Sequence, residues 1–107
     1  MARRQHLLTT TLSVDSAAGA TNTYNLVRIV RWIEAPLDRD ISLDWEIGRV
    51  YQGNWDRVGN RHGGRKSYSG DDYDTLLSQS TPAAMEDKAY QDLVSDGVIG
   101  PGTQQDY

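Results

Sequence analysis

The residue types that carry chemistry are few and loosely grouped. Asp71, Asp72 and Asp74 cluster around Tyr73, a set of oxygen donors that suits a hard cation. No glutamate stands at the twelfth position of an EF-hand loop begun at any of them, so the cluster reads as a solvated turn or a helix N-cap. Asp44 and Glu46 share one face of a strand, as the paired carboxylates of glycoside hydrolysis would. That face reads as wet, where nothing lifts a carboxyl pKa. His62 lies in Gly59-Asn60-Arg61-His62-Gly63-Gly64-Arg65-Lys66, whose glycines would let backbone N–H groups approach a phosphate. The spacing fits neither GxxxxGK[ST] nor GxGxxG, and no serine sits in a GxSxG elbow. The absence of cysteine excludes disulfides, thiolate metal sites and thiol nucleophiles. His6 and His62 are too far apart for a local metal motif. The reading is therefore a non-enzymatic chain with no catalytic residue, cofactor or metal.

Arginine carries the remaining chemistry. Arg49, Arg57, Arg61, Arg65 and Lys66 stand against Asp56 alone in residues 49–66, a balance of +4. They would reach phosphates while Tyr51, Trp55 and Tyr68 stacked bases, so a nucleic-acid-binding module using 49–68 is the alternative function. Against it stand a net charge of −4 and eight acids with one lysine after residue 66. Residues 1–34 carry +2 and residues 35–48 carry −3, so the signs alternate in blocks. Such blocks suit complementarity, a basic arm meeting acids within the subunit or on a neighbour.

The elements that must position these groups are modest. With 37% hydrophobic residues and a mean hydropathy of −0.65, a chain of this length builds one thin-cored domain. Residues 6–14 alternate β-branched and apolar types and read as a strand. Residues 15–22 are small and polar, a loop. Residues 23–34 fit both periods, and Val27, Ile29, Val30 and the aromatics tilt them to a strand that Pro36 ends. Ile41, Leu43, Trp45 and Ile47 alternate with Ser42, Asp44 and Glu46, so 41–51 is a half-buried strand. Leu8, Leu12, Val30, Trp32, Ile41, Leu43, Trp45 and Ile47 are expected inside. Five glycines punctuate 53–72, which reads as a long arm that Trp55 and Tyr68 either pin to the sheet or hold ready for a partner. Ser80 or Thr81 caps a helix over about 82–95, with Pro82 in its first turn and Gly97 beyond its end. Val98 and Ile99 form a short apolar hook. The tail 100–107 has no reason of its own to be ordered. No apolar run approaches the ~20 residues of a membrane span, and no secretory apolar stretch follows Arg4.

The expected fold is thus α+β or mainly β. It is one domain, 1–107, with a small antiparallel sheet over about 6–51, a Gly/Arg-rich loop over about 53–72, one C-terminal helix and a polar tail. Residues 80–102, Ser-Thr-Pro-Ala-Ala-Met-Glu-Asp-Lys-Ala-Tyr-Gln-Asp-Leu-Val-Ser-Asp-Gly-Val-Ile-Gly-Pro-Gly, resemble the closing segment of some small tailed-bacteriophage virion proteins: a short acidic helix, a glycine stop and an apolar dipeptide. The resemblance implies a head or tail component present in many copies, assembled in the host cytoplasm. Its partners are other copies of itself or other virion proteins, with no membrane. Arg49, Trp55, Arg57, Arg61, Arg65, Lys66 and Tyr68 are then expected to contact another subunit. Its Asp71, Asp72, Asp74, Asp92 and Asp96 are their expected counterparts. Neighbours would also hold the arm and both ends.

Overall fold

The alternation in the third strand, β3 (Asp40–Tyr51), sets the architecture. Ile41, Leu43 and Trp45 turn to a core that leaves them at most 8% exposed, while Asp44 and Glu46 turn to the other side. The computed structural model describes residues 3–15, 19–58 and 63–107. Around β3 lie β1 (Arg4–Asp15), β2 (Thr21–Ala35), β4 (Asn54–Arg57), β5 (Gly63–Ser69) and β6 (Gly102–Asp106). All pairings are antiparallel, in the order β4–β3–β2–β1–β6, with β5 beside the first half of β3. Among the described residues the fold is therefore mainly an antiparallel sheet of six strands, with two helices, α1 (Asp71–Leu77) and α2 (Pro82–Ser95).

The helices cover one face. Leu76 of α1 and Ala89, Tyr90 and Leu93 of α2 pack with Val27, Ile29, Leu43 and Trp45 in a single core. Fully buried side chains such as Leu43, Leu76 and Leu93 each contribute about 2 kcal/mol of transfer free energy. α2 starts where Thr81 accepts a hydrogen bond from the Ala84 N–H at 3.0 Å. It stops where Gly97 adopts φ 77° and the Val98 N–H returns to the Leu93 carbonyl.

Several expectations change. The register of β2 on β3 shifts between Ile29 and Arg31. This bulge keeps Ile29 and Trp32 on the core side and turns Val30 out to 45% exposure, so Val30 is not a core residue. Leu12 is only half-buried. Residues 53–72 are not one long loop: they hold β4 and β5, with residues 59–62 outside the described residues. A helix, α1, precedes the expected one. The polar tail is the sixth strand, paired with Arg4–Leu8.

Among the described residues, both ends are tied within the chain. Arg4 bonds Asp87 at 2.8 Å and Asp106 at 2.9 Å. The Tyr107 N–H donates to the Arg3 carbonyl. Glu86, a buried carboxylate, accepts from Arg3 at 2.9 Å and from the Arg4 N–H at 3.0 Å. His6 is fully buried: its Nδ1 accepts from Gln104 at 2.8 Å, and Nε2 lies 2.9 Å from the Gly100 carbonyl. Outside this tied base, no residue of 9–15 or 21–25 belongs to the main core cluster, although Tyr24 is buried. The radius of gyration is 14.7 Å, against about 13 Å for a compact chain of this length. The extents are 49 × 24 × 23 Å, and the outer half of the β1–β2 hairpin runs on past the end of β6 as an arm.

Candidate functional site

The face of the sheet away from the helices carries rows of charge laid across the strands. In one row Arg31 of β2, Asp44 of β3 and Arg65 of β5 stand side by side. Asp44 accepts from Arg31 at 2.8 Å and from Arg65 at 2.7 Å. The Arg65 hydrogen bond, with Arg31 behind it, holds the Asp44 carboxyl below its ordinary value. In the next row Gln5, Arg28 and Glu46 align. Glu46 accepts from the Trp55 indole N–H at 2.9 Å and pairs with Arg57 at 3.3 Å.

Arg28 is the centre of this face. Its guanidinium lies 4.6 Å from the Trp55 ring and 3.8 Å from the Tyr107 ring, and donates to Gln5 at 2.9 Å. The planar, delocalised guanidinium suits such stacking, worth about 0.5–1 kcal/mol per ring at a surface. Arg49, which alternates to the other face of β3, makes a similar arrangement, 5.1 Å from the Tyr24 ring and 4.6 Å from the Tyr51 ring, with Asp56 at 2.8 Å. Four arginines (Arg28, Arg31, Arg57, Arg65) thus share the face with three acids of β3, Asp40, Asp44 and Glu46, which leaves one positive charge in surplus. Arg31, Arg57 and Arg65 are each more than half exposed. Exposed pairs of this kind contribute about 0–1 kcal/mol, so the array does little for stability.

The expected acidic counterparts lie on the helix side. Asp71 and Asp74 both accept from Arg39. Asp72 borders a polar cleft with Lys66, Tyr68, Lys88, Asp92 and Asp96. There Lys66 pairs with Asp96 at 2.7 Å, Lys88 with Asp92 at 3.2 Å, and Tyr68 donates to Asp92 at 2.8 Å. Five acids (Asp71, Asp72, Asp74, Asp92, Asp96) face three cations (Arg39, Lys66, Lys88), which leaves two negative charges in surplus.

The expected residues therefore divide. Lys66 and Tyr68 meet Asp96 and Asp92, but within one chain. Arg57 and Arg65 pair with the acids of β3, and Arg49 with Asp56. Trp55 spans Glu46 and Arg28 rather than lying in a loop. Tyr68, 5% exposed, belongs to the core. Arg61 and His62 lie outside the described residues. Asp44 and Glu46 are on the side away from the helices, as the period-two pattern implies, but each is engaged by an arginine. Arg28, Arg31 and Tyr107 went unread. The signal for the first two was present: each interrupts an otherwise apolar strand.

Comparison with protein-family models, curated proteins and solved structures gives no match to this chain.

Proposed function

We propose that this chain is a non-enzymatic structural subunit of a multi-copy assembly, a tailed-phage virion component serving in capsid decoration, as a connector or in the tail. Copies of itself or other virion proteins hold it through contacts between subunits. One observation carries the reading: a basic surplus on the open sheet face and an acidic surplus beside the helices, on opposite sides of one sheet. Two unlike, complementary surfaces on one chain suit head-to-tail association, which closes into a ring or runs into a helical array. The virion setting rests on the likeness of residues 80–102 to phage closing segments.

Sedimentation velocity at two ionic strengths tests it. The wild type is expected to form larger species at low salt that diminish as salt rises, because exposed charges are screened within about 8–10 Å. Arg57→Glu/Arg65→Glu is expected to lose this salt-sensitive association with an unchanged far-ultraviolet spectrum. Mixing it with Asp71→Lys/Asp72→Lys is expected to restore association. If no species responds to salt or to charge reversal, the assignment is refuted.

The alternative, a nucleic-acid module using 49–68, draws on the same basic surplus and on Tyr51, 52% exposed. The Trp55 ring is already stacked on Arg28, which favours the protein contact. Tight binding of single-stranded DNA with a steep salt slope would reverse that preference.

A further inference from the structure

We propose that the outer edge of β1, Thr11–Asp15, pairs antiparallel with the same edge of a second copy of this chain. The neighbouring strand β6 accompanies β1 only over Arg4–Leu8. The Thr9 N–H still reaches the Pro101 carbonyl at 2.9 Å. Beyond it, among the described residues, β1 is paired on one side alone, by Thr21–Tyr24 of β2. A row of backbone donors and acceptors is left for another strand.

The composition of this edge separates it from the others. Exposed edges are ordinarily guarded by charge, proline or bulges. β5 carries Arg65 and Lys66, β4 carries Asp56 and Arg57, and β6 carries Asp106. Thr11–Val14 reads Thr-Leu-Ser-Val, with no charge, proline or glycine; Asp15 stands at its end, and the register irregularity of β1 falls between Leu7 and Leu12. On the other side of the same arm Arg49 lies over Tyr24.

The occupant follows from self-complementarity. A two-fold axis at Ser13 sets Ser13 against its own copy, Leu12 against Val14, and Thr11 against Asp15. Opposed residues of an antiparallel pair lie on one face, so apolar meets apolar and hydroxyl meets hydroxyl or carboxylate. The two Asp15 carboxylates fall about 13 Å apart at ~3.3 Å per residue, beyond the physiological screening length of about 8 Å. An apolar groove lined by Leu8, Leu12, Ile47, Val98 and Ile99 adjoins this edge, and Val98 is 51% exposed. Val14 of the second copy, set against Leu12, adds to it. The contact is independent of the charged association proposed above.

The chain has no cysteine, so one introduced thiol reads the register. Ser13→Cys is expected to form a disulfide-linked dimer on mild oxidation, since opposed Cβ atoms lie about 4.5–5.5 Å apart. Thr23→Cys, across the hairpin from Ser13, is expected not to. Wild type is expected to keep a dimer at high salt. Ser13→Lys, which sets two like charges on the axis, is expected to weaken that dimer roughly tenfold or more with the far-ultraviolet spectrum unchanged. A wild type monomeric at millimolar concentration and high salt overturns the proposal. So does equal cross-linking of both cysteine variants, or a dimer indifferent to Ser13→Lys. Arg57→Glu/Arg65→Glu leaves this dimer intact, so either contact can fail without the other.

Discussion

At the scale of single residues, two glycines act as clearances. Gly48 sits on β3 directly under Trp55: a Cβ there would come within 2.7 Å of the Trp55 ring and 2.6 Å of the Asp56 carbonyl. The missing side chain lets the indole lie flat, give its N–H to Glu46 and stack on Arg28. Gly64 does the same for Trp45, whose ring would lie 3.2 Å from an added Cβ. From sequence alone Gly64 merged with its neighbours into an arm, because a glycine that makes room for a ring is indistinguishable from one that makes a turn. Gly48→Ala is therefore expected to cost about 2 kcal/mol, the scale of overpacking against backbone. It is also expected to shift the Trp55 indole N–H resonance as the bond to Glu46 breaks. Wild-type thermal stability with an unmoved resonance would show that the ring has room to spare.

At the scale of elements, legibility followed the regularity of the pattern. β3 was plain because its apolar residues recur every second position, and the span of α2 was plain from the Thr81 cap, Pro82 and Gly97. β4 and β5 were hidden because their side chains are largely polar and their pairing with β3 is non-local, supplied by a neighbour rather than by propensity. α1 has only seven residues, too few to display a helical period. The bulge in β2 was invisible too, since a register shift exists only between strands. What holds it is Tyr90 of α2: its hydroxyl accepts from the Ile29 N–H at 2.9 Å and donates to the Arg4 carbonyl at 2.8 Å. Tyr90→Phe would leave both backbone groups without that partner in the interior, at a cost of about 1–3 kcal/mol. A lower urea midpoint at an unchanged slope is the expected result. An unaltered midpoint would mean that the bulge is held by the sheet alone.

At the scale of the whole molecule, three phenols join the layers. Tyr90 ties α2 to β1 and β2, Tyr73 ties α1 to Glu34 of β2 at 2.6 Å, and Tyr68 ties β5 to Asp92 of α2 at 2.8 Å. Each hydroxyl must stay protonated to donate. Burial pushes Tyr68 and Tyr90 up, and Asp92 adds to the effect at Tyr68. The bond to Glu34, with burial second, pushes Tyr73 up to about 12. Folded values above the ordinary value near 10 mean that the unfolded chain releases these protons first. Their contribution is whole below pH ~10 and is lost as pH rises through the folded values, with Tyr73 changing near 12. The helical layer is thus expected to come away from the sheet in that window, with late phenolate absorption and loss of far-ultraviolet helical signal rising together. Replacing Tyr73 with Phe removes one of the titrating ties and is expected to flatten the alkaline slope. If the three phenols instead ionise near their ordinary value while the helical signal persists, these hydroxyls do not couple the layers, and the apolar core alone keeps the helices on the sheet.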